Sequence, residues 1–226
     1  MQRFLDIIFS FTAIIFLIPF LVPIIILLRT TGENEVFYIQ ERVGKNGINF
    51  GLYKFATMLK DSPNIGSGEI TIKNDPRVLP IGRFLRKTKL NELPQLINIL
   101  LGDMSIVGPR PMVPNTYLNY PDDDKLFLNS VRPGLTGIGS IVFRDEERFL
   151  EGHTDPKHFY NEHIVPYKSS LEVWYVQNRN LFLYLKCIFV TIIVVLFPSL
   201  ITIENIFKDL PKKPQELNNF FNINNK

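Results

Sequence analysis

FLRKTKLNELPQLINILLGDMSIVGPRP, spanning Phe84–Pro111, is the stretch around which the rest of the chain is arranged. It reads as a basic helical turn, a polar corner at Asn91-Glu92, and a short apolar helix from Leu93 to Leu101. A loop follows, with Asp103 near its start and Arg110 held between Pro109 and Pro111. Carboxylate, amide and guanidinium groups at the two ends of one short helix suit a phosphate and a metal ion. The N-terminal end of such a helix offers free N–H groups and a positive dipole end. Flanking prolines restrict the backbone of Arg110, so its fork points in a definite direction. A purely structural reading accounts for the same letters. Asn91 is a good N-cap, Glu92 suits a first helical turn, and Pro94 is tolerated there.

The chain has 226 residues, enough for one well-buried domain with a membrane element attached. Lys plus Arg number 25 and Asp plus Glu 22, and this net charge of +3 carries no nucleic-acid signature. Cys187 is the single cysteine, which excludes an internal disulfide and a cysteine-based zinc site and fits a reducing compartment.

Ile7–Leu28 contains no charged residue, and about 20 such residues cross a bilayer as a straight helix. The run is too long for a cleaved signal, and no small-residue cleavage pattern follows it. Pro19 and Pro23 lie in its middle, and each frees the carbonyl four residues earlier, at Ile15 and Pro19. Freed carbonyls in hydrocarbon must be satisfied by something nearby. A helix sharply bent at Pro19, entering and leaving by the same face, relieves this and keeps Arg3 and Arg29 at one headgroup layer. A kinked full span is the competing arrangement. Both place the segment after Arg29 in the cytoplasm.

Val36–Gln40 and Phe50–Met58 read as short strands joined by the Gly44–Gly47 turn. Lys54 sits in the second, as an edge charge facing water or as a phosphate contact. Gly66 and Gly68 fall in a polar loop before the β-like stretch EITIK, and neither a Walker A loop nor a dinucleotide-binding glycine motif occurs. Asp122–Asp124 reads as the start of a helix ending near Val131. RPGLTG (Arg132–Gly137) reads as a tight turn with two glycines available for positive φ. His153, His158 and His163 recur every five residues, a step of roughly 500° on a helix, so their rings diverge. Pro166–Gln177 reads as an amphipathic helix. Leu181–Ile203 is apolar, interrupted by Lys186 and Pro198, and suits a helix in the membrane interface with Lys186 snorkelling.

In their order these segments resemble the bacterial sugar transferases, the monotopic phosphoglycosyl transferases. The resemblance runs from Arg3 to about Leu196, and its most specific parts are ERVGKNG (Glu41–Gly47), LYKFATM (Leu52–Met58), NDPRV (Asn74–Val78), the block Gly82–Pro111, and RPGLTG. It implies a small α/β, mostly helical cytoplasmic domain over 31–203. A re-entrant, proline-bent membrane helix over 1–30 precedes it, and a flexible polar tail over 204–226 follows. The implied reaction moves a sugar 1-phosphate from a UDP-sugar to a polyprenyl phosphate with Mg2+, releasing UMP, at the cytoplasmic face of the inner membrane. Implied partners are therefore the UDP-sugar, the polyprenyl phosphate and membrane lipids. Nucleic acid is not among them, and a homodimer stays open. Lys54, Arg110 and Arg144 match positions suited to the substrate phosphates, with Arg77 and Arg132 as weaker candidates.

The family uses a neighbouring Asp-Glu pair, the Asp attacking the phosphate to form a phosphosugar-enzyme intermediate. This chain has Asn91-Glu92. A carboxamide is uncharged, a poor nucleophile and a weak magnesium ligand. Three readings follow: Glu92 serves as nucleophile or metal ligand, the lipid phosphate attacks directly, or the chain is a catalytically silent scaffold that binds nucleotide sugars. The first is the working expectation. Two further departures are Ile18, where the family has a serine before the helix-breaking proline, and Ala56, where it has an arginine.

Overall fold

In the computed structural model the described residues are 1–65, 71, 74–144, 146–150, 153–197, 206, 207 and 209–217. The Gly66/Gly68 pair, most of EITIK and the end of the chain lie outside them.

The first helix, α1 (Gln2–Thr30), runs unbroken through Pro19 and Pro23. The helical hydrogen-bond pattern thus continues past the position where the break was expected. A proline φ is compatible with a helix, so the cost is a lost hydrogen bond and a clash, and lateral packing can offset both. That packing is confined to one side of the helix. Asp6, Ser10, Ala13, Leu17, Leu21 and Leu28 recur at steps of three, four and seven and form one inner seam. Ala13 and Leu17 meet a cluster of Leu52, Leu96, Ile99 and Met104. Leu21 and Leu28 meet Phe55 and Leu85. The opposite face, including Phe4, Phe11, Phe16 and Phe20, is exposed. By length and composition α1 can cross a membrane.

Polar contacts fix its N-terminal end. Asp6 is buried and accepts hydrogen bonds from Ser105 Oγ (2.9 Å), the Ile106 N–H (2.9 Å) and the Tyr184 hydroxyl (2.9 Å). Arg3 donates to the carbonyls of Ile99 (2.5 Å) and Leu100 (3.1 Å). Carbonyls at a helix C-terminus lack intrahelical partners, so a guanidinium is a natural cap for them.

A hairpin follows: β1 (Phe37–Val43) and β2 (Asn49–Phe55) pair antiparallel, with Tyr38 opposite Lys54. The expected strands are thus present with shifted ends, and Asn46 takes the left-handed conformation in the turn. Next come α2 (Pro80–Lys87), a 3-10 turn over Leu90–Glu92, and α3 (Gln95–Leu101), closed by Gly102 at φ 100°. The short strand β3 (Ser105–Val107) leads to α4 (Pro114–Leu118) and α5 (Asp122–Asn129), and then to β4 (Gly134–Thr136), which pairs parallel with β3.

RPGLTG is therefore largely a strand rather than a turn, and its glycines serve close approach. A Cβ on Gly134 or Gly137 would run into the backbone of Gly108. The chain continues through α6 (Ile138–Val142), α7 (Glu146–Phe149), α8 (Pro156–Phe159), α9 (Val165–Asn178) and α10 (Leu181–Leu196). The principal core lies between α6, α9 and α10 around Ile138, Ile141, Leu171, Tyr184 and Cys187.

Two expectations about the C-terminal part change. Lys186 does not snorkel: its Nζ donates to the Ile206 carbonyl at 2.5 Å and lies 5.0 Å from the Phe207 ring centroid. Phe207 and Leu217, in the stretch read as a flexible polar tail, are buried against the principal core. Two apolar side chains among polar neighbours suffice to dock a segment whose composition reads as loose.

Candidate active site

Lys89 adopts a left-handed backbone (φ 59°), uncommon for a residue with a side chain, between α2 and the Leu90–Glu92 turn. This reversal sends Asn91 and Glu92 into a cleft of about 1460 Å3 that also takes in Lys54, Arg110 and Arg144. The helix expected from Leu93 begins at Gln95, and Asn91 makes no capping bond.

Glu92 is oriented by Arg110, whose Nη2 donates to Glu92 Oε1 at 2.8 Å. Burial pushes the Glu92 carboxyl up, but the charge and hydrogen bond of Arg110, with Lys54 and Lys89, outweigh it and hold the pKa at about 2. Glu92 is thus ionised at any working pH. Burial lowers the pKa of Lys54, and so does the charge of Arg42, with Arg110 and Arg86 adding to it and Glu92 opposing. Lys54 Nζ lies 3.4 Å from Gln40 Oε1, which also accepts from Arg42 Nη2 at 2.6 Å. Around Lys54, then, three arginines face one carboxylate. Such crowding is relieved by an anion.

Arg110 is held from behind. Its backbone N–H donates to Oε1 of Glu172, a buried carboxylate on α9. Gly139 lies against that carboxylate, where a Cβ would collide with it. Farther along the cleft, Lys168 Nζ donates to Glu146 Oε1 at 2.6 Å and lies 5.9 Å from the Tyr160 ring centroid. Lys168, Glu146 and Tyr160 all line the cleft.

The remaining cations expected at the phosphates are placed differently. The Arg144 guanidinium donates to the carbonyls of Val194 and, at 3.3 Å, Val195, closing the C-terminal end of α10 at the edge of the cleft. Arg77 is buried outside the cleft in a pair with Asp75 (2.6 Å) and also donates to the Ser62 and Ile65 carbonyls at 2.8 Å. Arg132 Nε donates to the Gly102 carbonyl at 2.7 Å, also outside it.

Among the described residues no three His, Cys, Asp or Glu side chains gather to hold a metal by themselves. Mg2+ shared with a diphosphate needs only one or two protein oxygens, with phosphate and water supplying the rest. Glu92 fits that requirement, and so does Asn91 Oδ1, which is buried and accepts no hydrogen bond.

The sequence matches the model of the bacterial sugar transferase family over residues 1–198. The chain belongs to that family. Among its relatives, the undecaprenyl-phosphate galactose phosphotransferase of Salmonella typhimurium is 32% identical over 210 residues, covering 87% of this chain and 40% of that protein. The exopolysaccharide production protein PSS of Rhizobium leguminosarum bv. phaseoli is 32% identical over 207 residues, covering 85% and 94%. The undecaprenyl-phosphate glucose phosphotransferase of Komagataeibacter xylinus is 30% identical over 203 residues, covering 84% and 35%. This sugar transferase chain thus spans about two fifths of the Salmonella relative and nearly all of the Rhizobium one.

Several residues in and behind the family member's cleft escape a reading of the sequence. Arg42 lies inside the quoted ERVGKNG block, yet its direction depends on the hairpin register. Lys168 and Glu172 stand four apart on α9, both almost fully buried. Two opposite charges at that spacing usually mark a solvated face, so nothing in the sequence singles them out.

Proposed function

We propose that the chain transfers a sugar 1-phosphate from a UDP-sugar to a polyprenyl phosphate, undecaprenyl phosphate by its relatives' names, at the cytoplasmic face of the membrane, releasing UMP and starting polysaccharide or glycoconjugate assembly. The observation that carries this reading is the charge arrangement in the cleft around Lys54, where Arg42, Arg86 and Arg110 gather about the carboxylate of Glu92. An anion with two adjacent phosphates neutralises that excess.

Glu92 acts as the nucleophile. One carboxylate oxygen is held by Arg110, and the other forms a bond to the sugar-bearing phosphorus as the bond to the UMP oxygen breaks; UMP leaves with the electron pair. An oxygen of the polyprenyl phosphate then attacks the same phosphorus, and the Glu92 carboxylate departs. No proton has to move in either step, because both nucleophiles are already anions. Arg110 and Lys54 stabilise the charge that spreads over the transferring oxygens. Arg42 and Arg86 orient the diphosphate. Asn91 Oδ1, with the substrate's own phosphate oxygens, would hold a Mg2+ ion, which would supply further charge neutralisation on the diphosphate. The outer face of α1 supports placement at the membrane, since a lipid-borne acceptor must reach the cleft.

Asn91 favours a second reading, a silent membrane-bound scaffold that retains nucleotide-sugar binding. The two part in one assay: UMP release from a panel of UDP-sugars with Mg2+ and polyprenyl phosphate. Transfer predicts UMP with at least one sugar. Binding without UMP for every sugar leaves the scaffold.

A further inference from the structure

Gln40 stands between two cations of the cleft. In the β1–β2 hairpin Tyr38 pairs with Lys54 and Gln40 with Leu52, so Gln40, Arg42 and Lys54 share one face of the ladder, with Lys54 on the diagonal. Arg42 Nη2 donates to Gln40 Oε1 at 2.6 Å, and Lys54 Nζ donates to the same oxygen at 3.4 Å. Both donors are cationic, so the amide atom they share can only be the oxygen. Among the described residues this is the one hydrogen bond of Lys54 Nζ, which leaves its other protons for a ligand. Arg42 Nη1 also donates to the Pro111 carbonyl at 2.8 Å, next to Arg110, the residue that holds Glu92. Gln40, Arg42, Lys54, Glu92 and Arg110 all line the cleft.

We propose that Gln40 is a positioning residue for the transfer reaction: its carboxamide oxygen holds Lys54 and Arg42 side by side for the diphosphate without cancelling the charge of either. The assignment rests on the transferase reading and adds a residue to it. Two like charges brought to one oxygen repel each other, and a neutral acceptor offsets that repulsion through its dipole alone. A carboxylate in the same place would hold both cations more tightly, as an ion pair. It would also cancel positive charge that an anionic substrate needs. An apolar side chain would do the reverse, leaving both charges and removing the bond that fixes Lys54. The amide orients the two cations and does not neutralise them.

The test uses the full chain in nanodiscs with Mg2+ present. It reads Tm, the Kd of UDP by calorimetry, and kcat for UMP release from a UDP-sugar with polyprenyl phosphate. Gln40→Glu keeps the acceptor and adds a charge, so the Kd of UDP is expected to rise about tenfold while Tm holds or rises. A merely structural role predicts the same Tm with an unchanged Kd, and that result overturns the proposal. Gln40→Met has similar volume, keeps both cations and removes the acceptor. Its expected signature is a kcat about tenfold lower, since Lys54 loses its fixed direction. Wild-type kcat in folded Gln40→Met also counts against the proposal. UDP binding without UMP release in the wild type removes the transfer reaction, yet the Gln40→Glu comparison still stands because it is read from binding alone. UMP release together with an unchanged Kd in Gln40→Glu removes Gln40 and retains the transferase.

Discussion

The backbone N–H of Arg110 donates to Oε1 of Glu172 at 3.1 Å, tying the cation that orients Glu92 to a buried carboxylate on α9. Arg110 therefore joins two acids whose proton affinities are shifted in opposite directions. Glu92 meets its guanidinium and stays charged. Glu172 meets its peptide N–H rather than its guanidinium, and burial dominates.

That contrast sets a pH dependence. Burial pushes Glu172 up to about 7, against the hydrogen bond from Arg110, the charges of Lys168 and Arg110, and the hydrogen bond from Gly139. A carboxyl with a raised folded-state pKa contributes stability that is complete below its unfolded value and is lost as pH rises through the folded value. Thermal melts of the full chain in detergent are expected to show Tm falling from pH 5 to pH 8. In Glu172→Gln, which keeps an acceptor for Arg110 and cannot ionise, that slope flattens. Parallel slopes would remove Glu172 from the explanation.

For Glu92 the expectation is kinetic. Glu92→Gln keeps the shape and loses the nucleophile, so UMP release falls at least about a thousandfold. With its pKa at about 2, wild-type activity shows no acid limb from this group between pH 5 and 8. Near-normal turnover in Glu92→Gln, measured as UMP per minute, excludes the covalent role.

Asn91→Asp restores a second carboxylate beside Glu92, at a buried oxygen that now has no partner. Facing Lys54, Lys89 and Arg110, the added charge is expected to raise UMP release about tenfold or more, and to increase the yield of a phosphosugar adduct seen by intact mass. An unchanged rate would make the amide functionally equivalent to the acid.

Asp6→Ala removes the acceptor shared by Ser105, Ile106 and Tyr184. Buried donors left unmatched cost about 1–3 kcal/mol each, so the loss is on the order of 3 kcal/mol. A Tm drop of roughly 6–12 °C, read by differential scanning fluorimetry, is the expected size for a chain of this length.

Arg77→Ala leaves Asp75 buried without its ion pair. The expected cost is about 3–5 kcal/mol of stability. KM for UDP-sugar in the folded fraction should stay unchanged, since Arg77 lies outside the cleft. A selective rise in that KM would return Arg77 to the phosphates.

The sequence by itself determined the family, the apolar first helix, the paired strands of the hairpin, and the convergence of Lys54, Glu92 and Arg110. These rest on local signals: an uncharged run, alternation around a turn, and motif blocks whose residues keep their order. It also exposed the missing acid at Asn91, a difference of one letter that no packing alters. Only the tertiary structure decided the path of α1, because helix continuity through Pro19 and Pro23 depends on a seam of partners far along the chain. It likewise decided the fates of the arginines. Arg3, Arg77, Arg132 and Arg144 all look like free cations in sequence, yet each found carbonyls or a carboxylate brought near by folding. Glu172 shows the same limit from the other side, since its proton affinity comes from burial, which is a property of neighbours rather than of the residue. Short-range chemistry is written in order along the chain, whereas charge, burial and partnership are set by which distant segments meet.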